Sequence, residues 1–256
     1  MMRIRSSPGK VASVLIVVLS LLVTIPVAYA GDADGLAATL SSGNRADADK
    51  ARDAMRKPAE VVTFLGVASG MTVIDLIAAS GYYTEVLSVA VGEKGKVYAQ
   101  NGAFVLKMRE GANEKAITER LAGNRLPNVE RLNREMTELG LAAGSVDVAF
   151  TALNFHDIYN RGGPEGAAEF LGQVKAVLKS GGILGIVDHD GNPENDNKEL
   201  HRMTKAQAVK SVTDAGFEIV AEGEMLRNSE DDRAAFVFAE GMRGNTDRFV
   251  LKSRKP

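Results

Sequence analysis

The sequence has no cysteine and no tryptophan among its 256 residues, and aromatic residues make up only 5% of it. The absence of cysteine excludes disulfides, thiolate metal sites and a cysteine nucleophile. The formal net charge is only -2, and no long basic run is present. The chain therefore offers neither aromatic stacking platforms nor a phosphate-tracking stripe, and we expect no nucleic-acid partner. Apolar residues make up 45% of the chain and charged residues 25%, proportions that are typical of a globular protein.

The longest apolar stretch lies near the N-terminus, at residues 11–23, and basic residues precede it. It is followed by the small-x-small sequence Ala28-Tyr29-Ala30. This layout is typical of a secretory signal peptide. We therefore predict a signal peptide at 1–30 and an exported mature protein, periplasmic or secreted, with no stable membrane span after cleavage. An uncleaved anchor is the alternative, and it would place the domain on the same side of the membrane.

Residues 31–69 are predicted to form an N-terminal helical arm or lid. Its first part, Gly31 to Asn44, is rich in small and polar residues and is expected to be loose. Helices are predicted at 46–56 and 59–65, with Pro58 at the first position of the second, where its missing N–H costs nothing. The basic residues of this arm fit either a solvated helix face or a lid that binds an acidic substrate.

Residues 70–256 alternate between short β-rich runs and amphipathic helical stretches. Strands are predicted at 72–77, 96–100, 129–132, 146–152, 183–187, 217–222 and 248–252, with 234–239 as a competitor for the last strand. Helices are predicted at 83–91, 104–121, 165–178 and 205–215. This alternation indicates an α/β domain whose parallel sheet is covered by helices on both faces. The last two strands, with no helical pattern between them, predict a terminal antiparallel hairpin.

Three local sequences carry a family resemblance: the strand and turn at 70–84, the stretch 91–99, and the turn and strand at 178–184. They resemble the class I S-adenosylmethionine (SAM) methyltransferases. Segments 151–159 and 243–252 are most similar to a group of predicted bacterial methyltransferases with signal peptides. The resemblance implies a Rossmann-like, seven-stranded, mostly parallel sheet ending in an antiparallel hairpin. It also implies SAM as cofactor and a small-molecule substrate.

The resemblance also assigns cofactor-binding roles to the first βα turn. Asp75 is expected to help hold the amino group of SAM, and the backbone at Ile77, Ala79 and Gly81 is expected to approach its methionine part. The family usually has glycine where Ile77 and Ala79 stand. If those positions need positive φ, each side chain costs about 1 kcal/mol or more, which predicts weakened SAM binding.

Three further positions follow from the same resemblance. Asn101, after the second strand, stands where an acid usually binds the ribose hydroxyls; it is equally consistent with a turn residue before Gly102. Glu135 lies where an adenine contact is often found, although adjacent charges are also typical of a solvated loop. Asn154, after the fourth strand, is a third candidate contact to the cofactor.

His156 and His189 follow neighbouring strands and are the candidate catalytic residues, since histidine acts as a base near neutral pH. His201 is a possible third member of the group. A mixed metal site is a sharper alternative, built from His156, His189 and the neighbouring carboxylates of Asp157, Asp188 and Asp190. No tight two-histidine helical motif supports it, so the sequence predicts no metal site.

The leading functional hypothesis is a SAM-dependent methyltransferase acting on an unidentified small-molecule acceptor. The alternative is a non-catalytic exported binding protein on the same fold. A nicotinamide-dependent oxidoreductase is disfavoured because no G-x-G-x-x-G follows the first strand.

Overall fold

A computed structural model describes residues 32–256. The predicted signal peptide at 1–30 lies outside the described residues, so its cleavage stays a prediction. Within 32–256, none of the helices combines the length and the apolar character that a membrane span requires.

A seven-stranded sheet forms the centre of the molecule. Its strands are β1 (Thr72–Leu76), β2 (Lys96–Gln100), β3 (Val129–Leu132), β4 (Val146–Ala152), β5 (Leu178–His189), β6 (Glu218–Gly223) and β7 (Arg248–Arg254). The spatial order is β3-β2-β1-β4-β5-β7-β6. Strands β1 to β5 pair in parallel, whereas β7 runs antiparallel between β5 and β6. The predicted sheet, with its antiparallel C-terminal pair, is confirmed.

Helices cover both faces of this sheet. They are α1 (Ala33–Ser42), α2 (Asp47–Arg56), α3 (Pro58–Leu65), α4 (Tyr82–Val91), α5 (Ala103–Leu121), α6 (Phe155–Val177) and α7 (Lys205–Asp214). Successive strand residues point to opposite faces. Accordingly, Val73 belongs to one buried apolar cluster with Leu65 of α3, and Ile74 belongs to the other with Phe170 of α6. The result is a three-layer α/β/α domain.

The N-terminal arm is more ordered than its composition predicts. Residues 33–42 form helix α1, whose N-cap Asp32 accepts a hydrogen bond from the backbone N–H of Asp34. Leu40 of this helix is 1% exposed and packs in the same apolar cluster as α3 and α4. The expectation of a loose arm at Gly31 to Asn44 is therefore wrong from residue 33 onward, because one buried leucine and a cap suffice to dock the helix.

The other differences from the predicted elements concern two helices, strand β5 and the segment 234–239. Helix α6 begins at Phe155, ten residues before its predicted start, and its backbone is interrupted at Gly163 beside Pro164. Strand β5 is extended at both ends. Helix α5 is interrupted by non-helical backbone from Met108 to Gly111. The competing strand at 234–239 does not form, and β7 takes its place.

Candidate functional site

The turn between β1 and α4 has left-handed backbone at alternate residues. Ile77 has φ 56°, Ala79 has φ 51° and Gly81 has φ 81°. A Cβ on Gly81 would also lie 2.5 Å from the end of the Ile117 side chain, so another residue there would displace Ile117 and would be strained at this φ. The two positions that lack the usual glycine thus adopt the conformation that glycine favours. The turn keeps its shape and carries the strain, because a left-handed L-residue costs roughly 1–2 kcal/mol.

Side chains from the end of β2 hold this turn in place. The Gln100 side-chain oxygen accepts a hydrogen bond from the Ile77 N–H at 2.9 Å. The Asn101 amide bonds both polar atoms of the Ala79 backbone, accepting from its N–H at 2.8 Å and donating to its carbonyl at 3.2 Å. Both side chains are buried. In the structure the Asn101 side chain therefore holds the backbone of the turn, and its contact to the ribose stays a prediction.

Asp75 is the acidic residue of β1 and lies two residues before the first left-handed position of the turn. It is 3% exposed, and one of its carboxylate oxygens accepts a hydrogen bond from the Thr84 hydroxyl at 2.6 Å. Burial raises the pKa of Asp75 to about 7, although the Thr84 hydrogen bonds and the charges of Arg120 and Arg56 favour ionisation. A carboxylate held in this way gains from a cationic ligand, since a nearby positive charge stabilises its ionised form.

A cavity of about 380 Å³ opens above the carboxyl ends of β1, β4 and β5. Ligands bind in this place in open α/β sheets. The predicted site residues that line it are Asp75, Ile77, Ala79, Asn154 and His189.

The other predicted residues lie outside the cavity wall. Gly81 belongs to the turn and Asn101 is bonded to it, but neither lines the cavity, and the His156 ring, 5.7 Å from that of His189, does not line it either. Glu135 lines a separate recess, where its carboxylate accepts a hydrogen bond from the Ala103 N–H at the start of α5. The structure therefore does not bring Glu135 into the cavity.

Basic residues of the N-terminal arm, expected either on a solvated helix face or in a lid, line one end of the cavity together with Tyr82, which the sequence did not point to. The guanidinium groups of Arg52 and Arg56, on α2, lie 4.7 and 4.6 Å from the centre of the Tyr82 ring. Arg52 also pairs with Asp49. Among residues 32–256, Arg56 has no acidic partner within 4.0 Å, and burial lowers its pKa. A cation that faces a cavity without a counter-ion is suited to an anionic ligand group.

His156 forms a buried pair with Asp188 at the end of β5. Its ring Nδ1 lies 2.7 Å from one Asp188 oxygen, and its backbone N–H donates to the other at 2.7 Å. Burial disfavours the charged ring, but the charge of Asp188 and the hydrogen bond outweigh this effect and raise the pKa of His156. The same contacts lower the pKa of Asp188 against its own burial.

His189 has a different environment although it lies close by. Its ring centre is 5.7 Å from that of His156, as predicted for neighbouring strand ends. Its Nδ1 lies 2.7 Å from the Thr246 hydroxyl. Burial lowers the pKa of His189 to about 3, so the ring is neutral at pH 7 and is a weak base. The proximity of the two rings is thus found, while their catalytic role stays a prediction.

A third histidine completes the cluster. The ring of His201 lies 5.7 Å from that of His156, and its Nδ1 is 3.3 Å from the Asp157 carboxylate. His156, Asp157 and His201 each offer a ligand atom, and these atoms all lie within 4.8 Å of one another. Asp188 and Asp190, by contrast, are already occupied: Asp188 by His156, and Asp190 by Arg227 and Arg233. The carboxylates that the sequence offered to a metal are therefore mostly unavailable.

No family model and no curated protein matches the chain. Solved structures do match it. The chain is similar to a SAM-dependent methyltransferase from Aquifex aeolicus, with a TM-score of 0.59 and 23% identity over 87% of this chain and 98% of that one. It is also similar to geranyl diphosphate C-methyltransferase from Streptomyces coelicolor A3(2), solved with Mg²⁺, geranyl diphosphate and S-adenosyl-L-homocysteine. There the TM-score is 0.59, with 12% identity over 86% and 88% of the two chains.

A third similar structure is the [4+2]-cyclase SpnF, with a TM-score of 0.60 and 16% identity over 79% of this chain and 81% of that one. Identities this low establish architecture, and the cyclase shows that the architecture serves more than one reaction. Together with the observed strand order, these matches show that the chain has the class I methyltransferase fold.

Proposed function

We propose that this protein is a SAM-dependent methyltransferase acting on a small molecule. The observation that carries the proposal is the turn after β1, where Ile77 and Ala79 keep left-handed backbone beside the buried Asp75. Non-glycine residues hold such a conformation only where the surrounding structure imposes it, and such positions cluster at ligand-binding sites.

The residues around the cavity fit the polar groups of SAM. Asp75 and Arg56 both line the cavity, and we expect Asp75 to bind the ammonium group and Arg56 to bind the carboxylate of the same methionine part. The strained turn presents backbone at Ile77 and Ala79 to the ligand between them. A buried carboxylate and a half-buried guanidinium without an acidic partner among residues 32–256, in one cavity, match a zwitterion better than they match an ion of either sign alone.

The wall of the cavity opposite the turn suggests the chemistry of the acceptor. Phe104 and Phe238 are 59% and 46% exposed at its mouth, which is unusual for such large apolar side chains. The Arg161 guanidinium lies 5.3 Å from the Phe104 ring centre, and Arg109 also lines the cavity. Apolar rings beside unpaired cations favour an acceptor with an apolar body and an anionic group.

When bound, SAM supplies an electrophilic methyl group on a positively charged sulfur. The residues of this chain contribute mainly by alignment: the turn fixes the donor, and the walls built from α5 and α6 confine the acceptor. Asp75, Arg56 and the turn at Ile77 and Ala79 would hold SAM, which would supply its methyl group to the acceptor atom and be left as a neutral thioether, while solvent or a base would take any proton that the acceptor atom releases. Because its pKa is lowered to about 3, His189 positions the acceptor by hydrogen bonding more effectively than it removes a proton.

Calorimetric titration of the purified protein with SAM and with S-adenosylhomocysteine tests the proposal. We expect a Kd between about 10 µM and 1 mM, because the acid that usually binds the ribose is replaced by an amide and each 1.4 kcal/mol of lost binding free energy weakens affinity about tenfold. Asp75→Ala should abolish this binding and leave the fold intact, whereas the exposed Asp214→Asn should not change it. If neither ligand bound at millimolar concentration, the non-catalytic binding protein would become the better hypothesis.

We further propose that the protein is exported and that cleavage after Ala30 releases it. The basic N-terminus, the apolar stretch 11–23 and the small-x-small site support this. N-terminal sequencing of exported material should give Gly31 as the first residue. A membrane-bound chain that still begins at Met1 would contradict the proposal.

A further inference from the structure

Three side chains beside the cavity bring ligand atoms within 4.8 Å of one another, and one of them, Asp157, also lines the cavity. His156 and Asp157 are consecutive residues in the first turn of α6, and His201 lies in the loop before α7. The Asp157 oxygen is 3.5 Å from Nε2 of His156 and 3.3 Å from Nδ1 of His201. None of the three residues is held by a cation: within 32–256, no lysine or arginine lies within 4.0 Å of Asp157. The cluster therefore has unused donor capacity.

The strongest single observation is the state of the His156 ring. The side chain is only 2% exposed, and its Nε2 has no hydrogen-bond partner. A buried polar atom without a partner costs roughly 1–3 kcal/mol, so native proteins rarely leave one. This atom points toward Asp157 and His201, the two residues that complete the cluster. Something other than a side chain of the described residues is needed to satisfy it.

The opposite ring nitrogen has the kind of partner that is typical of a metal-binding histidine. Nδ1 of His156 is bound to the buried carboxylate of Asp188 at 2.7 Å. Histidines that bind metals almost always donate their other ring N–H to a carboxylate or carbonyl, which fixes the tautomer and directs the free lone pair to the metal. Asp188 is itself fixed, because it also accepts hydrogen bonds from the backbone N–H groups of His156 and His189.

Two of the three spacings between the ligand atoms match a small divalent ion, and the third pair lies within 4.8 Å. Tetrahedral bonds of about 2.0–2.1 Å place neighbouring ligand atoms about 3.3–3.4 Å apart. The two distances to the Asp157 oxygen, 3.5 and 3.3 Å, agree with that value. Hard oxygen-seeking ions such as Mg²⁺ and Ca²⁺ favour carboxylate-rich sets, whereas two imidazoles and one carboxylate suit Zn²⁺ and its first-row neighbours.

We propose that His156, Asp157 and His201 bind a divalent transition-metal ion of the Zn²⁺ class, with Asp188 orienting His156. Three protein ligands leave a coordination position open, as in catalytic rather than structural zinc sites. Asp157 lines the cavity, so that position faces the space assigned to the acceptor. The metal would bind an oxygen or nitrogen of the acceptor there. Metal binding itself does not depend on the methyltransferase proposal, and it can be tested without SAM.

The test is a titration of the purified, chelator-stripped protein with Zn²⁺ by calorimetry, followed by Co²⁺ with detection of visible absorption. We expect one Zn²⁺ per chain and the intense Co²⁺ bands of a four-coordinate N/O site. His201→Ala and Asp157→Asn should each weaken Zn²⁺ binding by more than the roughly 10–100-fold that loss of an orienting residue causes. Both side chains are half-exposed, so these variants should fold.

Two control variants separate this site from its alternatives. Glu199→Gln removes the same charge as Asp157→Asn from an exposed residue two positions from His201, and should leave Zn²⁺ affinity unchanged. His189→Gln should also leave it within about threefold, because Nδ1 of His189 is bonded to Thr246 and His189 contributes no ligand atom to the cluster.

His156→Ala should remove binding, with circular dichroism as the check that the protein remains folded. Absence of Zn²⁺ binding to the stripped wild-type protein at millimolar concentration would overturn the proposal. Undiminished affinity in His201→Ala or Asp157→Asn would overturn it as well, and so would an equal loss in Glu199→Gln. A buried His156 held by Asp188 alone would then be the correct description.

Discussion

Ala79→Gly tests the strained turn, the feature on which the functional proposal depends. Ala79 has φ 51°, a conformation that alanine adopts at a cost and glycine does not. Ala78, the preceding residue in the same turn, is half-buried like Ala79 but has negative φ. Ala78→Gly is therefore a matched control: it adds the same freedom to the unfolded chain without relieving strain.

The size of the effect follows from two opposing contributions. Relief of left-handed strain stabilises Ala79→Gly by roughly 1–2 kcal/mol. The added freedom of the unfolded chain destabilises either glycine variant by about 0.4–1 kcal/mol. Ala79→Gly should thus be neutral to about 1.5 kcal/mol more stable than wild type, and Ala78→Gly slightly less stable. The difference between the two variants, about 1–2 kcal/mol, reports the strain itself because the unfolded-state contribution cancels.

Thermal and urea unfolding of both variants measure this difference. A difference of 1–2 kcal/mol corresponds to about 2–8 °C in Tm, taking about 2–4 °C per kcal/mol for a domain of this size. The hydrogen bonds from Asn101 to the Ala79 backbone do not involve the Ala79 side chain, so SAM affinity should be retained or improved. If Ala79→Gly were no more stable than Ala78→Gly, the turn would not be left-handed at residue 79 and the strain argument would fail.

Three further predictions concern the cavity and the arm. Because the folded state raises the pKa of Asp75 from 3.8 to about 7, the free energy of unfolding should fall as pH rises through that window; thermal melts from pH 4 to 8 should show the fall in wild type and not in Asp75→Asn. SAM affinity should rise over the upper part of the same window as the carboxylate ionises. Arg56→Gln should weaken SAM binding about 10–150-fold by calorimetry, from loss of a charged hydrogen bond of about 1.5–3 kcal/mol, and the exposed Arg254→Gln should have no effect. Leu40→Ala should lower the free energy of urea unfolding by about 2–5 kcal/mol if α1 is part of the folded domain, and a loss no larger than that of the exposed Thr39→Ala would contradict the packing.

The strands of the sheet were predictable because their sequences carry local signals. The observed bounds of β2, β3 and β4 equal the predicted ones, since each is a short run bounded by glycine or polar turn residues. Helix α1 was missed because it buries little: Leu40 is its single buried residue, and its other apolar residues are mostly small. The early start of α6 was missed for a different reason. Gly163 interrupts the helix, but the backbone is helical both before and after it. The first helical segment therefore precedes the glycine, whereas the prediction began the helix after it.

The candidate site was only partly predictable, since much of it depends on contacts between distant parts of the chain. Resemblance to a family pointed to Asp75 and the following turn, and strand ends pointed to His156 and His189. The role of Asn101 changes once its amide is found bonded to Ala79, 22 residues away. His201 meets Asp157 only because the loop before α7 folds back over the start of α6. No spacing in the sequence encodes that contact, and the cations of α2 reach the cavity in the same way.

The turn itself indicates how a chain without the usual glycines can retain the shape of the site. Left-handed backbone at Ile77 and Ala79 costs roughly 2–4 kcal/mol together. Three hydrogen bonds from Gln100 and Asn101 to this backbone return about 0.5–1.5 kcal/mol each, an amount of the same size. Those two amides occupy the position where an acid would otherwise bind the ribose. This replacement of the acid by amides predicts a site that keeps its contacts to the methionine part of SAM and is weakened at the ribose. Fragments of the cofactor that carry the methionine part should therefore retain more of their affinity than fragments that depend on the ribose.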